Sequence, residues 1–339
     1  MIKIAIDVMG GDFAPQEIVK GAVDGAREHN SGIILVGRQG TIQNELHKYD
    51  ISGLDIEIVH TDEFIAEGER PAFAMCRKRN SSVILCSKMV RDGKADAAVS
   101  AGSTGAILTS AVHILGTFEG ISRPVIGGPF LGFAPDTILI DIGSNVDSPS
   151  KQLLDFAMLG TVYARRFMGI PEPTIALVSN GAEEGKGNKV VKEAYDMLKK
   201  SGLNFKGNIE GNDIVNGKAN VVICDGFTGN VVTKFCEGLN DTIAVWLDNE
   251  LKNKLTEDEV HKIIASLKCK LRASDAAGGW PLWGVNGIIC KAHGHSNAQN
   301  ISNTIGTARQ SVENDLAGAL KKGLADLRSN LNIKTQHGS

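Results

Sequence analysis

Residues 179 to 189 read SNGAEEGKGNK, a glycine-lysine turn of the kind that holds phosphate. A nucleotide-binding loop has the form G-x-x-x-x-G-K-[ST], and its last hydroxyl holds magnesium. Here Gly181 lies one residue too close to Gly185, and Gly187 occupies the place of the hydroxyl. The nucleotide reading loses both its spacing and its metal ligand. What survives is a turn in which Gly185 and Gly187 flank Lys186, followed by Asn188. Backbone amides at such a helix start can converge on a small anion. A solvated turn is the plain alternative.

Four further stretches carry chemistry by residue type. DGFTGN, Asp225 to Asn230, follows the apolar run NVVIC and places Thr228, Gly229 and Asn230 at a helix start. A hydroxyl, backbone amides and a side-chain amide there suit an anion or a developing oxyanion, or an ordinary helix cap. VSAGSTGA, Val99 to Ala106, sets Ser100, Gly102, Ser103, Thr104 and Gly105 after another strand. Small residues in such density let a ligand approach the backbone, though tight packing selects them too. DVMGGDFAP, with Asp7, Gly10, Gly11, Asp12 and Pro15, is not G-x-G-x-x-G, so the nicotinamide fingerprint is absent. CKAHGHS offers Cys290, His293 and His295 to zinc, but no fourth ligand stands at suitable spacing. His293 or Lys291 as a donor beside a site, or a polar loop, fits better, and we expect no metal and no cofactor.

No G-x-S-x-G elbow, H-E-x-x-H or cysteine with an obvious histidine partner occurs, so a covalent serine or cysteine mechanism lacks support.

These turns need strands to hold them. The runs IKIAIDVMGG, GIILVG, IEIVHT, AAVSAG, TILIDIG, TIALVSNG and VVICDGFTG each end in a glycine turn and lead into a helical pattern. Strand and helix in alternation predict an α/β protein with a mostly parallel sheet covered on both faces. Ligands of such sheets bind at the carboxyl ends of the strands, where these turns fall. The stretch 239–272 instead reads as strandless amphipathic helix, with Ile243, Val245, Trp246 and Leu251 beside lysines 252, 254, 262, 268 and 270. It suits a packed subunit contact or a membrane surface. Without an interdomain linker or repeat, residues 1–332 read as one intertwined catalytic unit and 333–339 as a disordered tail.

The 339 residues are 42% hydrophobic and carry a net charge of −3, so no overall basic field exists to hold nucleic acid. Six scattered cysteines without a CxxC pair read as buried small hydrophobes in a reducing cytosol. Neither a signal-peptide pattern nor an apolar run of roughly 18 residues is present, and we expect no membrane span.

Taken together, the chain resembles the bacterial phosphate acyltransferases, the acyl-[acyl carrier protein]:phosphate transacylases of phospholipid synthesis. The likeness rests on DVMGGDFAP at 7–15, RKRNSSV at 77–83, DAAVSAGSTGA at 96–106, GISRP at 120–124 and DIGSNVD at 141–147. It continues through EEGKGN at 183–188, GNIEGNDI at 207–214, DGFTGNVVTKFCEG at 225–238 and KAHG at 291–294. Ser103 stands where that family usually has Asn, so an amide role there is not carried over. Trp280 and Trp283 stand where smaller or aliphatic residues are usual, which leaves the shape of any nearby acyl-binding surface open.

The resemblance implies a three-layer α/β/α fold like phosphotransacetylase and isocitrate dehydrogenase, a homodimer, and a cytoplasmic enzyme at the inner face of the cell membrane. Its substrates would be acyl carrier protein and inorganic phosphate, and a downstream glycerol-phosphate acyltransferase would take the product. Phosphate is itself an anionic nucleophile and a thiol of pKa near 8.5 leaves readily, so no triad is required. On this reading Lys186, Asn188, Thr228, Asn230 and His293 act in catalysis. Asp12, Gly102, Ser103, Thr104, Gly105, Asn145, Gly185, Gly187, Asp225 and Gly229 bind substrate or phosphate. The acidic carrier protein requires a local basic surface, either Arg77, Lys78 and Arg79 or Lys268, Lys270 and Arg272. An ATP-dependent small-molecule kinase and a non-catalytic lipid-surface scaffold are the alternatives.

Overall fold

Short apolar runs between glycine turns fold as buried strands. In a computed structural model that describes residues 1–271 and 278–331, the chain groups into two compact units. Among the described residues, the first comprises 1–126 with 278–323 and the second 127–271 with 324–331. Where the sequence suggests one unit, contacts therefore divide the chain in two, each assembled from segments distant in sequence. The tail at 333–339 and Arg272 lie outside the described residues.

In the first unit, β1 (Lys3–Asp7), β2 (Gly32–Gly37), β3 (Ile56–His60), β4 (Ala97–Ser100), β10 (Gly279–Trp283) and β11 (Ile288–Ala292) lie in the order β3-β2-β1-β4-β11-β10. Beyond β10 come the first residues of β5 (Val125–Pro129). The strands from β3 to β11 pair in parallel, and β10 runs antiparallel to both of its neighbours. β2 and β4 are buried along their whole length, which explains why they read as runs of apolar and small residues rather than alternating ones. Two helix pairs cover this sheet: α1 (Gln16–His29) on α11 (Ala298–Glu313), and α4 (Ser82–Arg91) on α5 (Thr104–Ile114). Asn297 and Asn300 form a reciprocal capping box that starts α11.

In the second unit the order is β5, β6 (Ile138–Ile140), β9 (Val221–Ile223), β7 (Ile175–Val178), β8 (Phe205–Ile209), parallel except for β5 against β6. α6 (Ser150–Phe167) packs on β6 and β9 and α7 (Lys189–Lys200) on β7 and β8. The α/β/α arrangement with a mostly parallel sheet is as expected from sequence.

β5, β8 and β10 have no counterpart in the sequence reading. VIGGP and GWPLW carry glycine and proline inside a strand, which local propensity scores as turn, and only pairing on both sides makes them strands. Trp280 and Trp283, 9% and 1% exposed, are core residues of β10. The helical stretch expected at 239–272 begins earlier, in α9 (Gly226–Leu251), and continues in α10 (Glu257–Leu271). Cys86, Cys224 and Cys290 are buried and Cys236 is half-buried, but Cys76 is exposed, and the side chain of Cys269 lies outside the described residues.

Candidate active site

Each unit ends its strands in a cluster of glycine turns, and each cluster is built on a buried aspartate at a strand end. In the first unit this is Asp7, the last residue of β1 and 3% exposed. Its carboxylate accepts from Ser100 Oγ at 2.7 Å and from the Met9 amide at 3.2 Å. Ser100 Oγ in turn accepts from the Gly102 amide at 3.0 Å. The β11 turn joins through the Asp12 amide, which donates to Gly294 O at 2.8 Å. Around these three turns lies a cavity of about 390 Å³. Met9, Phe64 and Ile65 give it an apolar wall, Ser103, Thr104 and Lys291 supply hydroxyls and an ammonium, and Asp12 and Glu67 supply carboxylates.

In the second unit the equivalent is Asp141, fully buried directly after β6. Its Oδ1 accepts from the amides of Gly143 and Ser144 at 2.9 and 2.7 Å and from Ser144 Oγ at 2.8 Å. Its Oδ2 accepts from the amide and the side chain of Asn145 at 2.8 and 3.0 Å. Burial raises the pKa of both Asp7 and Asp141, and these donors oppose the shift. The start of α9 is pressed onto this turn: the Gly226 amide donates to Asn145 O at 2.8 Å. A thiol accompanies each carboxylate, Cys86 beside Asp7 and Cys224 beside Asp141. Burial first, then the neighbouring negative charge, drives both thiol pKa values well up. Burial does the same to Cys290.

The sequence-predicted residues separate by what the fold already asks of them. Asn188 caps α7 by accepting from the Val191 amide at 2.9 Å. The Gly187 amide donates to Asn180 Oδ1 at 2.9 Å and the Lys186 amide to Glu183 O at 3.2 Å. Gly185 and Gly187 sit at φ of +90° and +97°, a region that favours glycine. The turn thus closes on itself, and its Lys186 and Gly187 amides do not form an open anion cradle. At the α9 start, Asp225 accepts from the Thr228 amide at 2.7 Å and the Gly229 amide donates to Asp225 O. The oxyanion reading therefore loses those backbone donors and keeps the side chains. Among the described residues, Lys186 Nζ, Thr228 Oγ1 and the Asn230 amide have no hydrogen-bond partner.

Asn145, expected to hold phosphate, is 3% exposed and spends its side-chain donor on Asp141. Gly105 is small because a Cβ there would lie 2.7 Å from Pro71 of α3 (Pro71–Arg77). Ser103 caps α5 by accepting from the Ala106 amide, while Asp12, Gly102, Ser103 and Thr104 all line the cavity. His293, half-buried just after β11, lies 5.7 Å from His295 between ring centroids and is not among the lining residues. In the basic cluster of α3, Lys78 turns inward to Glu69 and Phe64 O, whereas Arg77 and Arg79 are exposed. The sequence reading misses the loop Phe64 to Glu67, which has no motif. It also misses Asp7 and Asp141 as hubs, although an Asp at a strand end followed closely by glycine is a readable signal.

The sequence profile of a family described as "Fatty acid synthesis protein" matches residues 2–318. A phosphate acyltransferase of Pelotomaculum thermopropionicum is 44% identical over 97% of this chain and 95% of its own. One of Desulforamulus reducens is 42% identical over 96% and 98%. Among solved structures, a phosphotransacetylase from Streptococcus pyogenes aligns with a TM-score of 0.59 at 22% identity, covering 92% of this chain and 94% of its own. That likeness shows the fold.

Proposed function

Because the chain belongs to the phosphate acyltransferase family of fatty acid synthesis proteins, we propose that it moves a long-chain acyl group from the thioester of acyl carrier protein to inorganic phosphate. An oxygen of phosphate attacks the thioester carbonyl carbon, a C–O bond forms, and the C–S bond breaks with the electron pair leaving on sulfur. The proton of hydrogen phosphate passes to the departing sulfur, and the products are acyl phosphate and free thiol.

The observation that carries direct attack is the state of the cysteines beside the two clusters. Cys86, Cys224 and Cys290 are buried, with pKa values raised by burial, so none supplies a thiolate. This supports a nucleophile that comes with the substrate, which the protein positions, strips of water and meets with groups that stabilise the tetrahedral oxyanion. Lys186, exposed and without an ion-pair partner among the described residues, holds phosphate at the turn from Gly185 to Asn188. Thr228 Oγ1 and the Asn230 amide donate to the thioester oxygen. The cavity of the first unit, apolar along Met9, Phe64 and Ile65 and lined by Ser103 and Thr104, suits part of an amphipathic acyl donor.

Arg77 and Arg79 are the exposed cations offered to an acidic carrier protein. Phe227, Val231, Phe235 and Trp246 are exposed along α9, which supports a subunit contact and a membrane-surface contact from which a glycerol-phosphate acyltransferase takes the product. Among the described residues no helix is long and apolar enough to cross a membrane.

The test is to supply acyl-carrier-protein thioester and phosphate without ATP or added metal, and to measure acyl phosphate and released thiol. Equal yields of both are expected. A requirement for ATP would favour a kinase instead.

A further inference from the structure

The hub of the first unit is buried, yet both of its backbone partners line the cavity. Met9 and Gly102 donate their amides, one directly to Asp7 and one through Ser100, and both are lining residues. Ser100, 2% exposed, is the link: it accepts from Gly102 on one side and donates to Asp7 Oδ2 on the other. The two turns are in near contact, since a Cβ at Gly10 would lie 2.7 Å from Asp7 Oδ2 and 2.7 Å from the Gly102 nitrogen.

We propose that Asp7 and Ser100 are positioning residues for the acyl transfer: the relay from Gly102 through Ser100 to Asp7 sets the β1 and β4 turns at the spacing the cavity needs. This rests on the acyl-transfer reading given above. The chemistry of the relay is directional. Every polar neighbour of Asp7 named here donates, and an ionised carboxylate accepts them all, whereas an amide must present an NH2 to one of them. Asp7→Asn therefore sets donor against donor at the Met9 amide, or forces the Ser100 hydroxyl to turn and accept from the new NH2, which reverses the relay. Ser100→Ala removes the link and leaves the Gly102 amide without its acceptor. In either case the turns lose their register while the strands beneath keep their own pairing, β1 to β2 and to β4. A shift of about 1 Å in a positioned group is enough to slow a reaction about a hundredfold.

The experiment measures phosphate-dependent thiol release from acyl-carrier-protein thioester, melting temperature and amide hydrogen exchange at Met9 and Gly102. The wild type is compared with Ser100→Ala, Ser100→Thr and Asp7→Asn. Ser100→Ala and Asp7→Asn are expected to lower kcat tenfold or more and to speed exchange at both amides. Ser100→Thr, which keeps the hydroxyl, is expected to recover most of the rate. Three results overturn the proposal: wild-type kcat in both disruptive variants, a loss that Ser100→Thr does not recover, or unchanged exchange at Met9 and Gly102. If the wild type releases no thiol, the acyl-transfer reading fails, and exchange at Met9 and Gly102 alone then decides whether the relay holds the turns.

Discussion

Gly229 of α9 lies directly on the backbone carbonyl of Asp141, so that a Cβ at position 229 would overlap that oxygen. The start of α9 and the Asp141 turn are thereby a single packed object, and the glycine is demanded by contact rather than by a ligand.

Gly229→Ala must push the helix away from the turn. We expect a loss of about 1–3 kcal/mol in denaturant unfolding, the range for overpacking a filled site, together with a marked fall in turnover. Gly238 in the same helix is the control, because nothing lies within 4 Å of a Cβ built there. Gly238→Ala is expected to leave turnover unchanged and to stabilise by roughly 0.5–1 kcal/mol through helix propensity.

Lys186 is exposed and unpaired among the described residues, so its loss has no structural cost to confuse the reading. Lys186→Ala is expected to raise the phosphate KM about tenfold with no change in melting temperature. An exposed charge is screened by salt. The wild-type phosphate KM should therefore rise with ionic strength, and that of the variant should not.

Thr228 and Asp225 separate catalysis from capping. Asp225 holds the Thr228 amide at 2.7 Å, so Asp225→Ala should destabilise by about 1 kcal/mol. Thr228→Val keeps the backbone and removes only the free hydroxyl. The expected outcome is an unchanged denaturation midpoint and a kcat lowered about a hundredfold, as for a lost oxyanion donor. A wild-type kcat in Thr228→Val would remove that hydroxyl from the mechanism.

Arg328, near the end of α12 (Leu316–Asn330), pairs with Asp155 of α6 at 3.1 Å, both buried. Burial pushes the Asp155 carboxyl from 3.8 up to about 6, against the opposing pull of Arg328 and Lys151. A folded pKa above the unfolded one means that the native state holds the proton more tightly. Stability from this group is therefore fully present below about pH 4 and is lost as pH rises to about 6, by an amount on the order of 3 kcal/mol. Asp155→Asn should flatten that segment of the stability curve, measured as unfolding free energy between pH 4 and 7.

Phe235 and Trp246 are 67% and 58% exposed on α9. Replacing both with serine is expected to lower co-sedimentation with anionic vesicles and to leave carrier-protein turnover in solution intact. Unchanged vesicle binding would move the membrane contact elsewhere, and a shift to a smaller particle in the same variant would assign the stripe to the subunit contact.

The sequence by itself determined the rhythm of the fold. Runs such as GIILVG and AAVSAG, apolar or small and closed by glycine, have the pattern of strands buried on both faces, and parallel pairing follows from the helices between them. It also determined that SNGAEEGKGNK is no nucleotide loop, since spacing and a missing hydroxyl are covalent facts. Residue type and spacing could not show which donors were still unspent, because that depends on partners far along the chain. Asp7 finds Ser100, Asn145 turns to Asp141, and Gly105 makes room for Pro71 only once the turns have come together. The tertiary structure decided that the side chains of Asn145, Asn188 and Asp225 are taken up by the scaffold while Lys186, Thr228 and Asn230 keep free polar groups, because the buried Asn145 must be satisfied and a helix start leaves amides for Asn188 and Asp225 to cap.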